Sequence, residues 1–258
     1  MNKKLRTFVY PVCAFIVLLL LWQVCVMLST SEIAFPTPVA VFKEFFYILT
    51  HKVGNYYTVV GHVLWSLSRV LVGFSIAAVF GIILGLTMGW FDYVRAIMMP
   101  VFNLLRPIAP LAWIPLAILW FGIGEKYKYF LIFIAAFVPF TLNAFAGASH
   151  VDKQLVGAAR MLGASKSQLF FEIVVPAAVP SIFSGAQVAL SNSWMTMLAA
   201  EMVCATEGAG WIIIAGQSVN DMTQMIAGML AIGIVGLLLA IGMRKLEERC
   251  LIWNNQGK

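Results

Sequence analysis

Residues 157–176 read Gly157-Ala158-Ala159-Arg160-Met161-Leu162-Gly163-Ala164-Ser165-Lys166-Ser167-Gln168-Leu169-Phe170-Phe171-Glu172-Ile173-Val174-Val175-Pro176. It is a mixed polar and apolar stretch in a chain otherwise dominated by long apolar runs. Leu155, Ala158, Ala159 and Leu162 fall on one face at helical spacing. Gly163 fits a C-terminal stop, because glycine tolerates the left-handed conformation in which many helices end. Ser165, with Gln168 three residues on, fits a capping box and predicts the start of a second helix. Leu169, Phe170, Ile173 and Val174 give that helix an apolar face, and Pro176 is expected to end it. The local prediction is helix, tight turn, short helix. Periodicity alone leaves open an ordinary amphipathic linker between two spans.

The surroundings of this stretch place it beside a membrane. Of 258 residues, 62% are hydrophobic and 11% charged, where a soluble domain carries roughly twice that charge. Several runs approach or exceed the ~20 apolar residues that cross a bilayer. Six spans are predicted, at roughly 8–28, 66–89, 101–121, 129–148, 179–204 and 225–243. The first run follows Lys3, Lys4 and Arg6, as a signal peptide would. It is longer than a signal peptide's apolar core, and no small-residue cleavage site follows it, so an uncleaved anchor is the simpler reading. The third run carries Arg106, Pro107, Pro110 and Pro115, and the fifth is rich in Ser, Asn and Thr. In lipid such interruptions survive where protein or a water-filled path satisfies the freed polar groups. These two spans are the first candidates for lining a pathway.

Six spans put the N-terminus, 90–100, 149–178 and the C-terminus on one side. That side carries Lys3, Lys4, Arg6, Arg95, Lys153, Arg160, Lys166, Arg244, Lys245, Arg249 and Lys258. The other side carries Lys43, Lys52, Lys126 and Lys128, with Arg69 and Arg106 left aside near span ends. The positive-inside bias predicts that both termini and the 149–178 loop are cytoplasmic. The net charge of +6 therefore reads as topology. Basic residues do not cluster as a nucleic-acid surface requires.

Other features narrow the function. Cys13, Cys25, Cys204 and Cys250 have no disulfide or metal-like spacing, so neither is expected. His51, His62 and His150 are isolated and read as interface or loop residues. Gly81, Gly85 and Gly89 form a smooth stripe, suited to packing within the chain or to a dimer. No Gly-x4-Gly-Lys-Ser/Thr loop is present to cradle ATP phosphates. No nucleophile–base pair appears either, so an enzyme is disfavoured and energy must come from a partner or a gradient.

The 157–176 stretch resembles the EAA loop of ATP-binding-cassette (ABC) importer permeases, whose pattern is Glu-Ala-Ala, three residues, Gly, nine residues, Ile, one residue, Leu-Pro. Ala158, Ala159, Gly163, Ile173 and Pro176 keep those intervals. Gly157 and Val175 depart from the pattern's Glu and Leu. Arg106-Pro107, Leu111-Ala112-Trp113, Trp120-Phe121-Gly122 and Glu125 are similar to the third span of the taurine, aliphatic sulfonate and nitrate importers. Ala199-Ala200-Glu201-Met202 and Gly208-Ala209-Gly210-Trp211 are similar to that subfamily's segment after the fifth span. Phe35-Pro36-Thr37-Pro38 is similar to its Pro-x-Pro element after the first.

The resemblance implies an all-α, six-span membrane protein with the type I importer permease (MetI-like) fold, in a bacterial inner membrane. It implies a homodimer, two cytoplasmic ABC ATPases that bind ATP and Mg, and an extracytoplasmic solute-binding protein. This chain itself would hold no cofactor. Coupling to the ATPase would fall to Ala158, Ala159, Met161, Leu162, Gly163, Ala164, Ser165, Gln168, Leu169, Ile173 and Pro176, with Met161 to Leu169 as the coupling helix. The translocation path would involve Arg106, Pro110, Trp113, Asn192, Ser193, Trp194 and Thr196, with Glu201 structural or gating. The expected segments are an anchor at 1–28, an extracytoplasmic stretch at 29–65, a core at 66–243 with its loop at 149–178, and a cytoplasmic tail at 244–258. The solute is expected to be taurine or another sulfonate, with nitrate or a nitrogenous heterocycle as alternatives. A gradient-driven carrier is the rival reading, disfavoured because the chain has no convincing internal repeat and almost no deep charge.

Overall fold

A computed structural model describes residues 3–28, 35–54 and 57–251, without the side chains at 3–9, 11, 12 and 15. Positions 29–34 and 55–56 of the expected outer stretch, and the tail beyond 251 with Lys258, lie outside the described residues. So do the side chains of Lys3, Lys4 and Arg6.

The fold is all-α. In chain order the helices are α1 (Lys3–Leu28), α2 (Pro38–Thr50), α3 (Val59–Trp90), α4 (Asp92–Leu105), α5 (Ile114–Phe121), α6 (Glu125–Ser149), α7 (Lys153–Met161), α8 (Lys166–Gln168), α9 (Val175–Cys204), α10 (Ala209–Ser218) and α11 (Met222–Cys250). A 3-10 turn at Pro110–Trp113 leads into α5, and a π-helical turn at Leu169–Val174 joins α8 to α9. Among the described residues, four helical stretches are long and apolar enough to cross a membrane: Val59–Trp90, Glu125–Ser149, Lys166–Ser218 and Met222–Cys250. α4 with Pro110–Phe121 makes a fifth if the pair is one span. α1 is 26 residues long, with Ile16–Leu28 as its apolar part among the described residues.

The interruption expected in the third span at 101–121 is a bend of 86° between α4 and the Pro110–Phe121 segment. Pro107 follows the last turn of α4, while Pro110 and Pro115 occupy first turns, where a missing N–H breaks no helical bond. Gly122, at φ +74, closes α5. One expectation is corrected: Pro176 does not end a helix. It stands in the first turn of α9, so the short helix after Ser165 runs through the π-turn into a helix that reaches Cys204.

The bundle is organised by the approach of α3 to α6. Gly73, Ala77, Gly81, Gly85 and Gly89 recur every fourth residue on α3. They face Ile132, Ala136, Phe140, Ala144 and Ala148 at the same interval on α6. A Cβ on Gly81 would lie 2.8 Å from the Phe140 Cβ, and one on Gly85 would press on the Thr141 carbonyl. The glycine stripe thus serves packing within the chain, where small residues let backbones touch without a hydrophobic force to drive them together. On its other side α6 packs on α9, with Gly147 against Ala178 and Gly185 against Asn143.

The end of the bundle remote from α7 is tied by ions. Arg69 on α3 is 1% exposed. Its Nε and Nη2 donate to Glu125 at the start of α6, Nη1 donates to Glu201 at the end of α9 at 3.0 Å, and Nη2 donates to Glu207 at 3.0 Å. Lys128 Nζ donates to Glu125 at 2.8 Å. Glu201 is fully buried and also accepts from Ser66 Oγ at 2.7 Å and the Gly210 N–H at 2.9 Å. Gly208 has φ +122, and a Cβ there would run into the Glu201 carboxylate. His62, expected at an interface or in a loop, is instead buried at 1% exposure. Its Nδ1 accepts the Gly208 N–H at 3.1 Å, which leaves Nε2 to donate to the Val53 carbonyl at 3.3 Å. Arg69, Lys128 and Glu201 are thus all buried within the protein.

Gly85→Leu should destabilise the fold by about 3 kcal/mol, at the upper end for overpacking, because the obstruction is backbone that cannot repack. A midpoint of heat-induced aggregation equal to wild type in detergent would exclude this seam. Arg69→Leu should cost about 3–5 kcal/mol, since it strands the buried Glu201 carboxylate. Glu201→Gln, which keeps the shape and the acceptor toward the Gly210 N–H, should lose clearly less in the same assay.

Candidate functional site

The stretch at 153–176 folds as its local chemistry dictates. Asp152 caps α7, its Oδ1 accepting the Gln154 N–H at 2.8 Å. At the other end the Ala164 N–H donates to the Ala159 carbonyl at 3.1 Å, and the Gly163 N–H to the Arg160 carbonyl at 3.0 Å. With Gly163 at φ +86 this is a Schellman turn. The capping box is present: the Gln168 N–H donates to Ser165 Oγ at 3.3 Å, and the Ser165 N–H to Gln168 Oε1 at 2.8 Å.

This corner is locked by its own backbone, yet it exposes apolar side chains. Met161 is 87% and Leu162 89% exposed, and Leu155 is exposed on α7 as well. Ala158 is exposed, Ala159 and Ala164 are half-buried, and Ser165, Gln168 and Pro176 are exposed. Leu169 and Val174 are instead buried and Ile173 is half-buried. Phe170 packs its ring 5.6 Å from that of Trp90 at the end of α3. The face after the turn thus anchors the corner to the bundle, and the face before it is offered outward.

A second feature is a cavity of about 810 Å³ between α4, the 3-10 turn, α6 and α9. Of the eight residues expected along a path, Arg106, Pro110, Trp113 and Asn192 line it. The 86° bend of α4 against the next segment opens it, and Pro110 and Trp113 sit at that bend. Ser193, Trp194 and Thr196 are buried in the packing of α9 and are absent from the wall. Trp194 belongs to the core with Val70, Ile132 and Met197. Neither Ser193 Oγ nor Trp194 Nε1 has a hydrogen-bond partner among the described residues. Glu201 belongs to the Arg69 network.

Asn103 on α4 and Asn143 on α6 also line the cavity, and sequence reasoning passed over both. The available signal was an amide in an otherwise apolar helix, the same signal that singled out Asn192. Arg69 was set aside as lying near a span end. An ionisable residue in an apolar helix of this length is a functional candidate by default, and that rule would have found it.

With this geometry in place, comparison with known proteins is direct. The family described as binding-protein-dependent transport system inner membrane component matches residues 77–248. The taurine transport system permease protein TauC of Escherichia coli is 34% identical over 235 residues, covering 91% of this chain and 86% of that protein. The nitrate import permease protein NrtB of Synechocystis sp. is 38% identical over 248 residues, covering 92% and 90%. The fold is also similar to a chain in inward-facing structures of the MetNI methionine ABC transporter. The TM-score is 0.64 at 17% identity, over 74% of this chain and 95% of that one. The chain belongs to the family of binding-protein-dependent transport system inner membrane components, and is a multi-pass inner-membrane permease subunit of an ABC importer.

Proposed function

We propose that the chain pairs with a second copy and carries a small organosulfonate inward through the cavity beside Arg106 and Asn192. Two cytoplasmic ATPases that bind ATP and Mg would drive it, and an extracytoplasmic binding protein would supply the solute. The observation that carries the coupling half is the exposed Met161–Leu162 pair on a hydrogen-bond-locked Schellman turn. Burying two such side chains in a groove of the ATPase is worth about 1.5–3 kcal/mol each. Gly157 brings no carboxylate, so docking rests on these apolar groups together with Ala158 and Ala159. The basic bias around Lys153, Arg160 and Lys166 supports a cytoplasmic position for this corner, with both termini on the same side.

α9 offers a mechanical route from the corner to the solute. It continues from the π-turn as one helix, so Asn192 stands about 26 Å along the axis from Val175, at 1.5 Å per residue. A tilt imposed at the corner moves the cavity wall as a rigid lever. Glu201, farther along the same helix, would act as the pivot fixed by Arg69. The sulfonate assignment is supported by the taurine permease relative and by the Arg106-to-Glu125 wording. The nitrate relative, at 38% identity, supports nitrate as the second reading.

Gly163→Val should break the coupling, because a β-branched residue at φ +86 is strained whatever the space around it. A penalty near 1.4 kcal/mol corresponds to about tenfold. In proteoliposomes holding the whole transporter, solute uptake per ATP hydrolysed should fall by at least about that factor, or the ATPase should dissociate. Gly163→Asn, which tolerates this conformation better, should retain more. Transport by the valine variant at the wild-type rate with its ATPase bound would refute the assignment. Leu155→Cys should react with a membrane-impermeant maleimide in inverted vesicles and not in intact cells; the reverse pattern would overturn the orientation.

A further inference from the structure

The cavity wall carries a single charge. Among the described residues, Arg106 is the only ionisable one that lines it, and it makes no ion pair with any of them. Three carboxamides share the wall: Asn103 one turn earlier on α4, Asn143 on α6 and Asn192 on α9. Asn143 is held in place. Its Nδ2 donates to the Pro139 carbonyl at 2.9 Å, and Gly185 leaves room for its side chain, since a Cβ there would lie 2.6 Å from the Asn143 Cβ. One N–H and the carbonyl oxygen of its amide remain for another partner. Most of the remaining wall is hydrocarbon and aromatic, with Trp113, Phe130, Phe133, Phe137 and Phe145 the largest groups.

An unpaired guanidinium in such a wall selects an anion, which it binds through charge-assisted hydrogen bonds. The rest of the wall selects against an anion that is polar all over. A bare oxyanion would give up most of its hydration to aromatic surface that returns no hydrogen bond. An organic anion would instead bury its apolar body there with gain. A cavity of about 810 Å³ also lies at the upper end of the range that holds drug-sized ligands, far larger than a four-atom ion needs. No carboxylate lines the wall among the described residues, so an ammonium group on the solute would meet no ionic partner there.

We propose that this cavity is a transit site for a monovalent organic anion with an uncharged apolar body, such as an alkane- or arenesulfonate that lacks an amino group. Arg106 and the carboxamides of Asn103, Asn143 and Asn192 take the oxyanion head, and the aromatic wall takes the body. The proposal rests on the reading of this cavity as part of the translocation path. It narrows that reading by excluding wholly polar oxyanions and zwitterions as the best-held solutes at this point.

The test uses the whole transporter with its ATPase in vesicles, without the binding protein, so that only the permease's own preference is read. Cys13, Cys25, Cys204 and Cys250 are replaced by serine, and Val188→Cys places a thiol on the cavity wall one turn from Asn192. Its rate of modification is measured with a negatively charged sulfonatoethyl and a positively charged trimethylammonioethyl methanethiosulfonate, each normalised to a free thiol. The anionic reagent should react roughly tenfold faster, as a focused positive potential requires. Arg106→Gln should remove that preference and Arg106→Lys should keep most of it. Millimolar 1-butanesulfonate should slow the modification several-fold, while nitrate and taurine at equal ionic strength should not. Equal rates for the two reagents with Arg106 present would overturn the proposal, as would protection by nitrate or taurine equal to that by butanesulfonate. A Val188→Cys thiol inert to both reagents from both faces would instead refute the cavity as a path.

Discussion

The contact of α3 with α6 is the constraint on which the rest of the molecule depends. Inside a bilayer apolar side chains gain little by meeting each other rather than lipid, so helices hold together by close packing and polar contacts. Five small residues on α3, four of them glycine, let its backbone settle against α6 along its length. That approach sets the position of both ends. At one end it brings Arg69 to Glu125, and at the other it places Trp90 where Phe170 can pack on it. α6 then presents its free face to the bend between α4 and α5, which makes it the longest wall of the cavity.

The Arg69 network shows how a membrane bundle carries buried charge. Two cations face three carboxylates, and the surplus negative charge is not left deep in the protein. The Glu125 and Glu207 side chains are 46% and 30% exposed, while Glu201 is sealed. The sealed member has the densest set of donors, from Arg69, Ser66 and a backbone N–H. Such an arrangement adds less to stability than its many bonds suggest, because desolvation offsets much of the attraction. Its value is geometric. It fixes the ends of α3, α6 and α9 and the 205–210 loop to one point, so motion of α9 is referred to a fixed end.

Local signals in the sequence were read with good fidelity, and distant ones were not. The Gly163 turn and the Ser165–Gln168 box depend on backbone within six residues, so their residue types suffice to foresee them. The glycine stripe was legible as a packing face, and only its partner was open. Pro176 was misread because a proline stops a helix only where its N–H would have been used, and the π-turn before it removes that need. The bend between α4 and α5 was visible as three prolines, but its 86° angle depends on what the following residues pack against. Arg69 meets its carboxylates 56, 132 and 138 residues away, and no local pattern encodes such a meeting.

One helix links these parts. α9 continues from the Gly163 corner through the π-turn, turns Asn192 to the cavity and carries Glu201 into the ion network near its far end. The polar residues that marked the fifth span as a path element therefore divide by depth and by face. Asn192 reaches the cavity, Ser193, Trp194 and Thr196 are consumed in packing, and Glu201 is an anchor. A helix anchored at one end and pushed at the other moves most near the pushed end, and Asn192 lies between the two. Under the coupling proposed above, the cavity wall at Asn192 would be displaced while the ion-paired end stays in register, which is the asymmetry that a rocking, alternating-access motion requires.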